Sequence, residues 1–138
     1  MKIFFDSSAF AKRYIEESGS AEIDALCQKA SSVGLSVICI PEIISALNRR
    51  KREQFISPEE YQSAKEFLAS DVADCEIIGI SEDIISASIK LLENNTLRAM
   101  DALHVAGAIL WESELFITAD HRQAEAAKHC KFETVLNT

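Results

Sequence analysis

The chain has 138 residues, of which 48% are apolar and 26% are charged, and its formal net charge is −8. This length suits one compact domain that buries a core without disulfide or zinc support, and the composition excludes extended disorder. The acidic balance argues against a protein that holds nucleic acid over its whole surface, because such binding relies on Lys and Arg. It does not exclude a nuclease whose acidic residues hold divalent cations.

Apolar runs along the chain predict five strands. They cover residues 2–5, 34–40, 75–80, 114–118 and 132–136. No internal repeat, low-complexity segment or linker divides the sequence. We therefore expect a single domain over residues 1–138.

Helical patterns lie between these strands. The predicted helices cover residues 41–52, 56–71, 81–93 and 97–111. Pro41 suits the first position of its helix, and Ser57 with Glu60 three residues later forms a capping-box pattern. Alternating strands and helices predict an α/β fold, a three-layer α/β/α sandwich with a central, mostly parallel sheet. In such sheets the functional crevice lies beyond the carboxyl ends of the strands.

The cysteines and the N-terminal segment indicate the cellular compartment. Cys27, Cys39, Cys75 and Cys130 are far apart, with no CxxC pair and no histidine at zinc-finger spacing, so we interpret them as reduced, buried thiols. The first apolar run is too short for a signal peptide, and no stretch approaches the length of a membrane span. These features predict a cytoplasmic protein.

Two aspartates follow predicted buried strands. Asp6 comes directly after residues 2–5, and Asp120 follows "ELFIT". Each would lie at the carboxyl end of its strand, where an aspartate serves either as the N-cap of the next helix or as a catalytic or metal-binding group. The residues alone leave both interpretations open.

Two further acids lie on helices. Glu42 falls in the first turn after Pro41, where the helix dipole favours a negative side chain, and it faces away from the apolar stripe. Asp101 lies in a helix that is apolar almost all round, where an isolated charge costs several kcal/mol unless it is paired or bound to a metal. An ion pair with Arg98 is the alternative to a metal ligand.

The four acids together suggest a metal site. If the first and fourth strands are neighbours, Asp6 and Asp120 lie side by side, and two helices bring Glu42 and Asp101 to the same crevice. Crowded carboxylates repel one another and either take up protons or hold divalent cations. Ligands that are all oxygen select Mg²⁺ or Mn²⁺ over zinc.

Four segments resemble, in order, the acidic motifs of PIN-domain nucleases, and in particular the VapC-type toxins of prokaryotic toxin–antitoxin pairs. They are "FFDSSAFAKRY", "PEIISALNRR", "LRAMDALHVAGAI" and "LFITADHRQAEAA", and the similarity spans residues 3 to about 127. The resemblance implies a PIN-like, Rossmann-like sandwich. It also implies that the catalytic, metal-binding residues are Asp6, Glu42, Asp101 and Asp120, supported by the polar side chains of Ser7 and Thr118.

The function implied by the resemblance is that of a metal-dependent endoribonuclease. In such an enzyme Mg²⁺ activates a water for in-line attack on an RNA phosphodiester. The implied protein partners are a cognate antitoxin, which would reach into the acidic cleft with a cationic side chain, and a second copy in a homodimer. In the resembling toxins the helices near residues 56–71 contribute to both contacts.

Basic residues are candidates for contact with the RNA backbone. Arg49 and Arg50 belong to "NRRKR", the only dense basic run, and Arg49 shares the helical face of Glu42. We expect both to contact phosphates, with Arg13 as a second candidate; a solvated helix end is the alternative. His104 lies on the face of Asp101, and we interpret it as a packed or hydrogen-bonded core histidine rather than a ligand.

Two other functions fit an aspartate after the first strand. A phosphatase of the haloacid dehalogenase type uses a second acid two residues later, where this chain has Ser8. A receiver-like or scaffolding domain would hold a metal in an acidic pocket without turnover, and receivers carry a lysine after a late strand that "TADHRQ" lacks. The scaffold and the nuclease differ in metal-dependent cleavage of RNA.

Overall fold

A five-stranded sheet forms the centre of the computed structural model, which describes residues 1–138. The strands are β1 (Lys2–Phe5), β2 (Ser32–Ser36), β3 (Glu76–Ile78), β4 (Leu115–Thr118) and β5 (Glu133–Leu136). The helices are α1 (Ser7–Phe10), α2 (Ser20–Lys29), α3 (Cys39–Arg52), α4 (Pro58–Ala73), α5 (Glu82–Asn94), α6 (Ala99–Leu110) and α7 (His121–Ala127), with a 3₁₀ segment at Ala11–Arg13. The strand order is β3-β2-β1-β4-β5, and all four pairings are parallel.

Helices cover both faces of the sheet. Ile3 and Phe5 of β1 belong to a core cluster shared with α1 to α4, whereas Phe4 belongs to a second cluster with residues of α6 and α7. This alternation follows from strand geometry, in which successive side chains point to opposite faces. The predicted three-layer α/β/α sandwich is confirmed.

Helix α6 packs closely on the central strand. A Cβ atom at Gly107 would lie 3.0 Å from Cζ of Phe4, so the absence of a side chain lets the helix axis approach β1. The same helix carries Asp101 and His104, both of which are buried. Two polar side chains are therefore buried on the helix that packs closely on β1.

The second strand was predicted in the wrong place. The prediction covered residues 34–40, but β2 ends at Ser36 and α3 begins at Cys39, so Pro41 is the third helical residue rather than the first. The first N–H groups of a helix have no acceptor within it, which allows proline at this position. A short apolar run has no period that separates a buried strand from the start of a buried helix, which explains the error.

The prediction also missed helix α2. Its buried Ile23 and half-buried Leu26 and Cys27 have helical spacing, and Gly19 precedes it with φ 94°. Helices α3 to α6 agree with the four predicted helices to within a few residues. None of the helices has both the length and the apolar character needed to cross a bilayer.

The four cysteines are unpaired, as predicted, but their burial was overestimated. Cys39 is fully buried, whereas Cys27, Cys75 and Cys130 are partly exposed. Burial raises the pKa of Cys27 to about 11 and that of Cys75 to about 12. All four thiols are therefore mainly protonated near neutral pH.

Candidate active site

The sheet brings Asp6 next to Thr118. Strands β1 and β4 are neighbours, with Phe5 opposite Ile117, and the Asp6 N–H donates to the Ile117 carbonyl at 3.1 Å. Thr118 Oγ1 donates to the Asp6 carboxylate at 2.7 Å and accepts from the Asp120 N–H at 3.0 Å. The expected juxtaposition of the first and fourth strands is present, and Thr118 connects the two aspartates.

Asp6 is fully buried and has no cationic side chain in contact. Its carboxylate accepts from the Ala9 N–H at 2.9 Å, which makes it the N-cap of α1. The Ser8 hydroxyl lies 2.8 and 2.7 Å from its two oxygens. Burial raises the pKa of Asp6, although the charge of His104 and these hydrogen bonds act in the opposite direction. Asp6 therefore fills the capping role and also borders the cleft described below.

Glu42, Ser7 and His104 form a hydrogen-bonded triad between α3, α1 and α6. Ser7 Oγ donates to Glu42 Oε1 at 2.5 Å, and His104 Nε2 lies 2.6 Å from the same oxygen and 3.0 Å from Ser7 Oγ. Both protein contacts use Oε1, which leaves Glu42 Oε2 free. Burial alone would raise the pKa of Glu42, but the hydrogen bonds from His104 and Ser7 hold it below the usual value. Glu42 is therefore ionised near neutral pH.

His104 is 1% exposed, and its Nδ1 is buried without a hydrogen-bond partner. The burial and the hydrogen bonding that the sequence led us to expect for this histidine are both present. The sequence did not indicate that its partner would be Glu42, because that contact joins residues 62 positions apart.

Asp101 is 8% exposed and has two partners. Gln123 Nε2 donates to Oδ1 at 3.1 Å, and Arg98 Nε lies 3.4 Å from Oδ2. The ion pair considered from the sequence is therefore present, but the Arg98 side chain is 76% exposed, so water screens its charge. Asp101 is only weakly neutralised.

Asp120 caps α7. Its Oδ1 accepts from the N–H groups of Arg122 and Gln123 at 2.7 and 3.2 Å, and no cationic side chain contacts it. The capping alternative is thus correct for this residue, as it is for Asp6. It does not remove Asp120 from the cleft, because the capping bonds use one of the two carboxylate oxygens.

All four acids border one cleft of about 260 Å³ at the carboxyl end of the sheet. Arg98 is the only Lys or Arg among its lining residues. Ser8 and Gln123 also line the cleft, although neither was predicted as a site residue. Their only sequence signal is position, since Ser8 follows Asp6 by two residues and Gln123 follows Asp120 by three. No three Asp, Glu, His or Cys side chains converge closely enough to form a ready-made metal cage.

The three predicted RNA contacts separate into two groups. Arg49 and Arg50 line a groove of about 560 Å³ that shares Ser8, Ala11 and Ala46 with the acidic cleft. Arg13 lies elsewhere and is held within the fold, because its guanidinium contacts Asp71 at 2.9 Å and Asp24 at 3.1 Å. The structure therefore brings Arg49 and Arg50, but not Arg13, next to the acids.

Comparison with models of protein families identifies the family to which this chain belongs. The model of the PIN domain matches residues 3–129. The chain belongs to the PIN-domain family. This membership confirms the resemblance found in the four acidic motifs, and it replaces the haloacid dehalogenase alternative.

Relatives of this PIN domain are named as a ribonuclease or described as toxins. Ribonuclease VapC45 of Mycobacterium tuberculosis is 26% identical over 107 residues, covering 78% of this chain and 74% of the relative. A toxin–antitoxin complex from Klebsiella pneumoniae has a chain with a TM-score of 0.67 at 20% identity, covering 88% of each chain. VapC20 of Mycobacterium tuberculosis, described as a sarcin-ricin loop cleaving toxin, has a TM-score of 0.69 at 17% identity, covering 90% of this chain and 94% of that chain. The two structural matches establish the shared fold.

Proposed function

We propose that this PIN domain is a Mg²⁺- or Mn²⁺-dependent endoribonuclease and the toxin of a toxin–antitoxin pair. The observation that carries the proposal is that Asp6, Glu42, Asp101 and Asp120 line one cleft at the carboxyl end of the sheet. The name of the relative VapC45 supports RNA as the substrate class. Hydrolysis of a phosphodiester bond is the reaction that such an acidic cleft suits once its charge is balanced by a cation.

The residues of the cleft fit a hard divalent ion. Mg²⁺ prefers oxygen ligands and usually keeps several waters while binding one or two carboxylates, so it does not require a closed protein cage. Besides the four carboxylates, the cleft contains Gln123, whose Oε1 is buried without a partner. The ligands would be the carboxylates of Asp6, Asp101 and Asp120, which have weak or no cationic partners. Glu42 Oε2 would complete the set.

The protein side chains would orient the acids and control their protons. A bound ion would supply a Lewis acid for the phosphate and lower the pKa of a water. Ser8 and Thr118 fix the Asp6 carboxylate, and Gln123 fixes that of Asp101. His104 and Ser7 keep Glu42 ionised through Oε1, so that its Oε2 is available to the ion or to a proton from water.

Three partners follow from this proposal. The RNA backbone would contact Arg49 and Arg50 beside the cleft. A cognate antitoxin is supported by the description of the Klebsiella pneumoniae structure as a toxin–antitoxin complex. A homodimer is supported by the exposed apolar side chains of Ile85, Ile89 and Leu92, which repeat at helical spacing on α5.

The test compares cleavage of total RNA by the natural protein and by Asp101→Asn, in Mg²⁺, in Mn²⁺ and in EDTA. We expect cleavage that requires the metal and falls by about 100-fold or more in the variant, since a bound ion contributes several kcal/mol to such reactions. Asp83→Asn, which removes an exposed acid from the first turn of α5, is the matched control and should cleave normally. Melting curves establish that both variants fold.

Calorimetric titration with Mn²⁺ separates the nuclease from the scaffold. If the natural protein binds Mn²⁺ through the four acids but cleaves no RNA with either metal, the scaffold is correct. Equal cleavage by the natural protein and Asp101→Asn would remove Asp101 from the mechanism.

A further inference from the structure

Phe55 is the most exposed of the large apolar side chains, with 70% of its surface accessible. It lies between α3 and α4 and lines the groove that also contains Arg49 and Arg50, here called the Phe55 groove. None of the roles described above uses this ring. An aromatic ring that remains this exposed contributes little to the core, which raises the question of what it contacts.

The backbone fixes the position of the ring. The Phe55 N–H donates to the Arg50 carbonyl at 2.9 Å, and the Gln54 N–H donates to the Lys51 carbonyl at 3.1 Å. With Gln54 in the left-handed region at φ 62°, these bonds form a Schellman motif at the end of α3. Phe55 is thus presented by a hydrogen-bonded helix terminus rather than by a loose loop.

Two arginines near the ring can contact the phosphates of an anionic partner, while Glu17 and Glu53 also line the groove. The Arg50 guanidinium lies 6.0 Å from the Phe55 ring centroid, and Arg49 is exposed in the same groove. Glu17 is 3.9 Å from Arg50, but both side chains are about 40% exposed, so this pair is screened and leaves the arginine available. Proteins that bind single-stranded nucleic acids often combine an aromatic ring, on which a base stacks, with basic residues that contact the phosphates. Aromatic residues and arginine are also enriched in protein interfaces, so the position of the groove beside the acidic cleft is what favours RNA.

The Phe55 groove adjoins the acidic cleft. Ser8, Ala11 and Ala46 line both, so no further layer of side chains separates them. An RNA strand with one phosphate at the acids would place a neighbouring nucleotide in the groove.

We propose that the Phe55 groove binds a nucleotide next to the cleaved phosphodiester, with its base stacked on Phe55 and its phosphate held by Arg49 and Arg50. This inference rests on the proposed ribonuclease function, and it makes Phe55 a substrate-positioning residue. Stacking on an aromatic ring tolerates any base, so the groove would select for an unpaired nucleotide rather than for a base identity.

The experiment measures binding separately from cleavage. Fluorescence anisotropy is recorded for a short single-stranded oligoribonucleotide, and for a series that lacks one base at each position, with the Asp101→Asn protein in Mg²⁺. In that protein, one abasic position should weaken binding by about fivefold or more. When Phe55→Ala is combined with Asp101→Asn, the intact oligonucleotide should bind about fivefold more weakly than it does to Asp101→Asn alone. Removal of the same base should then have no further effect on binding. Phe55→Trp should restore both.

Phe67→Ala is the matched control. Phe67 is also a partly exposed phenylalanine with an arginine over its ring, since the Arg13 guanidinium lies 5.1 Å from its centroid, but it is not in the Phe55 groove. It should leave RNA binding unchanged. Melting curves for every variant report folding.

The outcomes distinguish this inference from the proposed function. Suppose that the natural protein cleaves RNA, while the Asp101→Asn protein binds every oligonucleotide equally well with and without Phe55→Ala. Stacking on Phe55 is then excluded, and the proposed ribonuclease function is retained. If the abasic effect depends on Phe55 but the natural protein cleaves no RNA, the groove is supported and the nuclease fails. If Phe55→Ala leaves RNA binding intact but weakens dimerisation or binding of the antitoxin, the ring belongs to a protein interface and the inference is wrong.

Discussion

Asp6 combines two roles in one carboxylate. It caps α1 through the Ala9 N–H, and it borders the acidic cleft at the end of β1. The side chain is fully buried and burial raises its pKa, while its partners are neutral donors rather than cations. An ionised carboxylate in this position destabilises the fold when no metal is bound, and a bound cation would offset that penalty.

Replacement of Asp6 by Asn should therefore stabilise the metal-free protein. The amide keeps an oxygen for the Ala9 N–H but has no charge to bury. We therefore expect the free energy of unfolding at pH 7 to rise by about 1 kcal/mol, which is common for a single stabilising substitution. Urea unfolding in EDTA measures this change. Addition of Mg²⁺ should stabilise the natural protein more than the variant. A loss of stability in EDTA would mean that the ionised cap is worth more than its burial costs.

The acids of the site could be nominated from the sequence, whereas their partners could not. Asp6 and Asp120 follow apolar strands, and Asp101 interrupts an apolar helix, so each is conspicuous locally. The contact of Glu42 with Ser7 and His104 depends on how α3, α1 and α6 pack, which no local pattern specifies. The roles of Ser8 and Gln123 are hidden for the same reason.

At the level of elements, the sequence predicted best what is decided locally. Ser57 accepts from the Glu60 N–H at 3.0 Å, and Glu60 Oε1 accepts from the Ser57 N–H at 2.9 Å, which is the predicted capping box of α4. The boundary between β2 and α3 was misplaced because residues 37–40 are all apolar, and such a run fits either a buried strand or the start of a buried helix. Helix α2 buries little apolar surface, so its sequence signal is limited to the helical spacing of Ile23, Leu26 and Cys27.

Removal of the capping box should destabilise α4. Ser57→Ala leaves the Glu60 N–H without its acceptor at the start of α4, and we expect it to lower the free energy of unfolding by about 1 kcal/mol. Ser63→Ala, in the exposed interior of the same helix, is the control and should change stability by less than about 0.5 kcal/mol. Denaturant unfolding compares the two variants. Equal effects would show that the cap does not stabilise α4.

The whole molecule carries four free thiols with raised pKa values, and this affects its response to alkaline pH. In the unfolded chain a thiol ionises near pH 8.5, as ordinary cysteines do. Burial in the folded protein holds the proton to higher pH, and for Cys27 the pKa is about 11. The folded state therefore binds more protons than the unfolded state between these two values.

This difference in bound protons sets the sign of the pH dependence of stability. A group whose pKa is higher in the folded state gives its full stabilisation below the unfolded value and loses it as the pH rises toward the folded value. Between about pH 8.5 and 11, Cys27 should make stability fall by up to about 1 kcal/mol per pH unit, less than the 1.4 of a fully buried group because the thiol is partly exposed. Serine does not titrate in this range, so Cys27→Ser should show a shallower decline, measured by urea unfolding at pH 7, 9 and 10 under reducing conditions. Parallel curves for the two proteins would mean that the Cys27 thiol ionises alike in the folded and unfolded chains, and that some other group causes any loss of stability at high pH.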